Sequence, residues 1–416
     1  MAVGLMSGVR VLEWADSLSA HFCARLLADL GAEVIKIEAP CTGDAARCLG
    51  PFPPGVPYAE GGALFGYLNY GKRSITLDPS RPSGAVFLAR LAESSDVFIE
   101  GQLPGTLERC GASVAQLQGI NRSLTVVSVT SLGQSGRLKD YFCSELTLQH
   151  LAGFAYHQAA PVADPASQPP LGGADHEGAL GAGIGAAVAV IWGMLLTQSG
   201  AAGPHIDVAN ADFQAHLLVD QIAAWSRGER RFSRQREPGA GLEIIGGLVW
   251  MLPCTDGWVM VSPREQHQWD RWIEVIGTPA WSQDKAMCGD RTARKANGIK
   301  LQRSMSEWTQ TRSRKQVFEL SQSARVACFP VSTPGDLLEN AQLLHRKFFN
   351  RLTFADQISI PVPGLPFRVL KEGCDLLPRG GAVRALALGE ANEEIFQGRL
   401  GLGIDEMAAL RRQGIV

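Results

Sequence analysis

The sequence predicts an α/β chain in which a doubly wound, parallel sheet is joined to a smaller α+β domain. Three observations predict it. Short apolar, β-branched runs alternate with amphipathic stretches of helical length up to about residue 195. A polar, basic, Gly/Pro-broken segment at 225–241, "WSRGERRFSRQREPGAG", then interrupts the alternation. Beyond it the texture changes to paired strands followed by helices, and 416 residues suffice for two domains with separate cores.

Taken in order, "VRVLEW" reads as a buried strand, "LSAHFCARLLADLG" as a helix closed by Gly31, and "EVIKIE" as the next strand. This βαβ unit ends in an acidic residue, Glu38, as dinucleotide sites do. Its first turn, "WADSLSAHF", has no G-x-G-x-x-G, so a pyrophosphate cannot approach the helix N-terminus and a nicotinamide cofactor is not expected. A helix at "GAVFLARLAESS", a strand at "DVFIE", a helix near "VAQLQGIN" and a strand at "LTVVSVT" continue the pattern into the loop "SLGQSGRLKDYFCS". The stretch "ALGAGIGAAVAVIWGMLL" is rich in small residues and only marginally long enough to cross a bilayer; it predicts a buried helix packed closely through Gly and Ala.

The expected domains are therefore 1–224 for the first part of the large domain, 225–245 for a linker, and 246–328 for the small domain. In the small domain "GGLVWMLPCTDGWVMVSP" predicts two strands around Asp256-Gly257, followed by helices at "QHQWDRWIEVIG" and "SMSEWTQTRSRKQVFELSQSA". Residues 329–416 are expected to form a linker and the return to the large domain, since "LPFRVL" is too short to make a sheet alone.

Charge and composition exclude several functions. A net charge of −2, from 39 Lys+Arg against 41 Asp+Glu, gives no basic field for nucleic acid and no polybasic patch for a membrane. Nine cysteines stand singly, without CxxC pairs, and read as reduced thiols in a cytoplasmic protein. The first residues show no basic n-region or cleavage site. The eight histidines lack metal-ligand spacing, so no metal site is expected, and a small-molecule partner fits best.

One carboxylate stands out in "YFCSELTLQHLAG". Ser144 followed by Glu145 at the start of an apolar helical pattern offers an N-cap and a negative charge at the positive end of the helix dipole. The same residue is a candidate nucleophile.

Several stretches together resemble the family III CoA-transferases (the CaiB/BaiF family, which includes formyl-CoA and carnitine CoA-transferases). They are "VRVLEWADSLSAHFCARLLADLGAEVIKIEAPCTGDAARCLGPF", "NYGKRSITLD", "DVFIEGQLPGTLERCG", "LTVVSVTSLGQSG", "TDGWVMVSPREQHQWDRWIEVIG" and "CFPVSTPGDLLENAQLLHRKFF", in the family's order through most of the chain. The resemblance implies a Rossmann-like large domain built from both termini, a smaller α+β domain and an interlocked dimer. It implies no permanently bound cofactor, with coenzyme A and acyl-CoA as substrates. In the chemistry it implies, an aspartate attacks the acyl-CoA thioester and CoA passes through the enzyme to a second carboxylic acid.

At the register of the family's Tyr-Asp-x-x-x-Gln this chain reads Ser144-Glu145-Leu146-Thr147-Leu148-Gln149. The extra methylene of Glu145 moves the carboxylate by roughly 1 Å, worth on the order of 100-fold in rate if nothing compensates. Lys72 and Arg109 match positions implied to contact CoA and Arg47 keeps the G-D-x-x-R motif, each a candidate for charge-assisted hydrogen bonds to phosphate. Gly101 and Gln102 fall in Glu100-Gly101-Gln102-Leu103-Pro104-Gly105, where the family's adenine-lining Glu-Asn-Phe-x-Pro-Gly has an amide and an aromatic that this chain lacks. Ala20-His21 replaces a Gly-Pro, and Asp16 and Leu18 stand where relatives place polar groups. Cys143-Ser144-Glu145 in place of Gly-His-Asp argues against a related racemase. These departures lead to the expectation of a catalytically silent subunit beside a paralogous chain that carries the aspartate, in an interlocked heterodimer or heterotetramer. The alternatives are an active transferase, in a homodimer or heteromer, that uses Glu145, and a CoA-binding protein without chemistry.

Overall fold

The computed structural model describes residues 4–57, 61–157, 172–173, 175–228, 242–244, 247–354, 358–372, 374–377 and 379–416. The chain divides into two compact units. One comprises Met1–Gln158, Pro170–Arg231 and Ala341–Val416; the other comprises Ala159–Pro169 and Phe232–Asn340.

Six parallel strands form the frame of the first unit: β1 Arg10–Ala15, β2 Glu33–Glu38, β3 Arg73–Thr76, β4 Val97–Gly101, β5 Thr125–Thr130 and β6 His205–Ala209. Their order is β3-β2-β1-β4-β5-β6, so the winding reverses between β1 and β4, and a crevice forms beyond the carboxyl ends of those two strands. The helices that bear on the site are α1 Leu18–Asp29, α2 Pro82–Glu93, α3 Val114–Ile120, α4 Glu145–Leu151, α5 Glu177–Gln198, α6 Asn210–His216 and α7 Val219–Ser226.

Burial on both faces explains why the strands read as continuous apolar runs. Val11 packs with Val34, Val97 and Val127 beneath α1 and α5, whereas Leu12 packs on the other face with Ile35, Phe98 and Val126 beneath α2 and α3. The expected βαβ unit is present. Ser17 caps α1 by accepting a hydrogen bond from the Ala20 N–H at 3.3 Å, and Gly31, at φ 99°, closes the far end.

The small-residue stretch forms α5, but only one of its faces is buried. A Cβ on Gly183 would lie 2.7 Å from the Ser19 carbonyl, and one on Gly193 would lie 2.5 Å from Thr125 Cγ2. Gly and Ala therefore face α1 and β5, where nothing larger fits. The bulky Ile184, Val188, Ile191, Trp192 and Leu195 point outward, with Val188 63% and Trp192 55% exposed. The expectation of a buried helix is thus corrected to a half-buried one; α5 is the one helix among the described residues long and apolar enough to cross a membrane.

The second unit has an antiparallel sheet of β7 Leu242–Ile244, β8 Gly247–Cys254, β9 Gly257–Val261 and β10 Cys328–Pro330, in the order β10-β9-β8-β7. Asp256-Gly257 makes the expected turn, with Gly257 at φ 136° and Cys254 opposite Gly257 in the ladder. Helix α8 Gln266–Val275 follows as expected. The next stretch, read as one helix, is two: α9 Gly298–Thr309 and α10 Arg314–Ser323. Ser313 breaks it by capping α10, accepting from the Gln316 N–H at 3.2 Å while its own N–H donates to the Gln316 side chain at 2.9 Å. Trp250, Trp269, Trp272, Leu301 and Met305 fill the core of this unit.

The chain then returns to the first unit, though not through "LPFRVL" as a strand. Instead β11 Phe349–Thr353 pairs antiparallel with β12 Ser359–Pro363 and parallel with β13 Ala382–Arg384 in a separate small sheet. Asn392 binds the edge strand β3, accepting from the Thr76 N–H at 2.8 Å and donating to Thr76 Oγ1 at 2.7 Å. Helix α11 Ile404–Arg412 adds Met407 to the sheet core, so both ends of the chain build this unit. Of the expected linker, Trp225 and Ser226 finish α7, and residues 229–241 lie outside the described residues.

Candidate active site

A cleft of about 500 Å³ opens at the reversal of the sheet. Its walls come from the β1–α1 turn (Asp16, Ser17, Ser19), the end of β4 (Gly101, Gln102) and the end of β5 (Thr130, Ser131), and from the loop into α4 (Lys139, Tyr141, Cys143, Glu145). Asn210, at the start of α6, completes it.

Local sequence explains how the walls are held. A Cβ on Gly101 would lie 2.8 Å from Ala15 Cβ and 3.2 Å from the Val129 carbonyl, so only glycine lets β4 end this close to its neighbours. The Gln102 N–H donates to Glu100 Oε2 at 2.8 Å, and its side-chain amide donates to the Trp14 carbonyl at 3.4 Å. Glu100 is buried, which raises its carboxyl above the usual range. It also accepts from Gln134 Nε2 at 3.0 Å, while the Gln134 N–H donates to Asp207 Oδ2 at 2.9 Å. Two carboxyl groups thereby fix the "SLGQSG" loop beside the cleft.

The helix-start placement expected of Glu145 is present, and the side chain also lines the cleft. Ser144 does cap α4, accepting from the Thr147 N–H at 3.3 Å, and Glu145 occupies the first turn. Its side chain nevertheless reaches the cleft, where Oε1 accepts from Gln149 Nε2 at 2.8 Å and from the Gly178 N–H at 3.0 Å. Gly178 lies in the first turn of the 22-residue α5, so the carboxylate also sits at the positive end of a long helix dipole. On the opposite wall burial raises the Asp16 carboxyl, with the nearby Asp44 adding to the effect.

The other expected site residues are distributed differently. Gly101 and Gln102 line the cleft with Glu145. Arg109 is exposed and donates to Thr106 Oγ1 at 2.6 Å, Thr106 being a cleft residue. Lys72 and Arg47, candidates from the resemblance for phosphate contacts, are both buried and paired with carboxylates. Arg47 grips Glu38 through Nε at 2.7 Å and Nη2 at 2.8 Å, which also accounts for the acidic end of β2. Lys72 Nζ binds Glu13 Oε2 and Asn69 Oδ1, each at 2.7 Å. The physical reason is a buried demand for countercharge that outcompetes any surface ligand.

That demand comes from a network under the β1–α1 turn. His21 bridges two carboxylates, with Nδ1 2.7 Å from Glu13 Oε1 and Nε2 2.9 Å from Asp44 Oδ2, and Lys36 Nζ lies 2.6 Å from Asp44 Oδ2. Burial alone raises Glu13 and Asp44, but Lys36, His21 and, at Glu13, Lys72 outweigh it and hold both carboxyls well below the usual range. Burial, with Lys36 alongside, pulls the Lys72 ammonium down to about 8. Sequence reasoning missed this cluster, although a signal existed: Glu13 and Lys36 are directly opposite in the β1–β2 register, two opposite charges inside otherwise apolar strands. It also missed Lys139, Asn210 and Gln214, which no local motif marks.

Comparison with known proteins shows the family. Residues 6–378 match the model of CoA-transferase family III. The chain is 30% identical to the succinyl-CoA:(R)-benzylsuccinate CoA-transferase subunit BbsE of Thauera aromatica over 87% of each chain. It is 26% identical to a formyl-CoA:oxalate CoA-transferase of Streptomyces avermitilis over 99% of each. A CAIB/BAIF family protein from Brucella suis superposes with a TM-score of 0.79 at 25% identity, covering 94% of this chain and 98% of that one. A carboxylate at the mouth of a doubly wound sheet thus sits on a chain that belongs to CoA-transferase family III.

Proposed function

We propose that this chain moves CoA from an acyl-CoA donor to a carboxylic acid acceptor, with Glu145 as the carboxylate that carries it. The observation behind this reading is the Glu145 side chain in the cleft, held through Oε1 alone, with both of its hydrogen bonds among the described residues on that oxygen. Attack by Oε2 on the acyl-CoA carbonyl forms a C–O bond and breaks the C–S bond, releasing CoA thiolate and leaving a mixed anhydride. The thiolate then attacks Glu145 Cδ and expels the donor acid, giving a glutamyl-CoA thioester. The acceptor carboxylate reverses both steps and restores Glu145. CoA is a substrate in this scheme and not a resident cofactor. Lys139 and Arg109 are the cations assigned to its phosphates, and Gly101 and Gln102 form the floor it crosses. Lys72 and Arg47 act one layer below, holding the β1–α1 turn and the end of β2.

A silent-subunit reading is favoured by a different observation. The BbsE relative is named as a subunit, and the apolar outer faces of α5 and α7 are what a second chain, identical or paralogous, would cover. In that case the paralogue would carry the chemistry, with succinyl-CoA and benzylsuccinate the first pair to try.

The deciding measurement is peptide mass after incubation with formyl-, acetyl- or succinyl-CoA and borohydride, alone and with any copurifying homologue. Reduction of Glu145 to the alcohol, absent in Glu145→Ala, is the expected outcome. A mark on the homologue alone establishes the silent subunit, and CoA binding without any mark leaves a binding protein.

A further inference from the structure

We infer that Gln149 and the Gly178 N–H form an oxyanion hole for the carbonyl oxygen of Glu145 itself, a deepening that rests on the reading of Glu145 as the CoA carrier. Two of the four covalent steps pass through a tetrahedral Cδ of Glu145: thiolate attack on the anhydride and acceptor attack on the thioester. In each, a bond forms at Cδ, negative charge collects on the Glu145 oxygen that is not being exchanged, and collapse expels the leaving group.

That oxygen is Oε1. Gln149 Nε2 and the Gly178 N–H already point at it from 2.8 and 3.0 Å, within the range in which donors stabilise a developing oxyanion. Neither donor has to be recruited. Gln149 is buried, and its own Oε1 accepts from the Gly173 N–H at 2.7 Å, which fixes the amide so that Nε2 is the end facing Glu145. The Gly178 N–H is fixed by α5, whose dipole adds to the positive potential.

A third amide faces the same corner. Gln214 is 1% exposed, and neither of its amide atoms has a hydrogen-bond partner among the described residues. The point a Cβ on Gly178 would occupy lies 2.3 Å from Gln214 Nε2 and 2.7 Å from Glu145 Oε1. A buried, unpaired amide is costly, and growing charge on Oε1 offers it a partner the resting carboxylate has not engaged. The same crowding forbids any side chain at 178, which keeps the backbone donor uncovered.

The test replaces Gln149 by Met, which keeps the length and removes the donor, and by Asn, which keeps an amide but withdraws it by one methylene. Succinyl-CoA with labelled succinate serves as the probe, read as kcat and KM for exchange of the label into succinyl-CoA; the rate at which borohydride reduction marks Glu145 as the alcohol in the peptide mass is taken as its labelling. Expected for Gln149→Met is a loss of about 100- to 1,000-fold in kcat, with KM for succinyl-CoA unchanged and labelling slowed by the same factor. Gln149→Asn should fall between, and it carries the test if the Met variant fails to fold. Full turnover in both variants, or a raised KM with kcat intact, overturns the inference. Turnover in Glu145→Ala, or no label on Glu145 in the unsubstituted protein, overturns the underlying reading first; loss in Glu145→Ala with full rates in both Gln149 variants sinks the oxyanion hole alone.

Discussion

At the scale of single residues, Glu13 shows how a charge becomes structural. Its carboxylate is fully buried between His21, Lys36 and Lys72, and removing one partner from such a cluster strands the others. Glu13→Gln is expected to cost about 3–5 kcal/mol, read as a lowered denaturation midpoint of the first unit. The pH dependence follows from the direction of each shift. The folded chain holds the Glu13 and Asp44 carboxyls below their unfolded values, so their stabilisation is complete above the ordinary carboxylate range and is lost as pH falls beneath it. Lys72 has the same sign in a higher window: folded near 8, it binds its proton less tightly than in the unfolded chain, so stability again rises with pH from about 8 toward the ordinary lysine value. In Glu13→Gln the acid loss should flatten; an acid limb as steep as that of the unsubstituted chain would contradict the assignment.

At the scale of elements, α5 does two jobs with opposite faces. Its Gly and Ala face brings the backbone against α1 and β5, and this close seat sets where its N-terminal N–H groups point, including the one on Glu145. Gly193→Val would drive a side chain into Thr125, with Cγ2 only 2.5 Å from the new Cβ. The expected cost is about 1–3 kcal/mol, accompanied by a fall in any Glu145-dependent activity because the whole helix must shift. Unchanged stability and activity together would show that α5 has slack the packing does not suggest. The two-helix break at Ser313 belongs to this scale as well: the capping pair Ser313 and Gln316 was present in the sequence, but the polar stretch around it carried enough helical periodicity to mask the stop.

At the scale of the whole molecule, the outer faces of α5 and α7 pose the question of partners. Val188, Trp192, Val219, Ile222 and Trp225 all stand more than half exposed on these two helices, more apolar surface than a chain leaves uncovered without a use. Trp192→Glu combined with Val188→Glu is therefore expected to shift the protein from oligomer to monomer in light scattering after size exclusion; an unchanged mass would place the interface elsewhere. By itself the sequence determined the alternation of strands and helices, the hairpin at Asp256-Gly257, the family, and Glu145 as the residue to watch. All of these are local or ordered along the chain, written in periodicity, turn residues and motif spacing. Only the tertiary structure decided that Lys72 and Arg47 turn inward, that His21 bridges Glu13 and Asp44, and that Gln149 and the Gly178 N–H converge on one carboxylate, with the unpaired Gln214 amide beside Gly178. These outcomes depend on which distant groups share a buried volume, where a charge takes the nearest countercharge and an amide the nearest acceptor, and no local pattern encodes that choice.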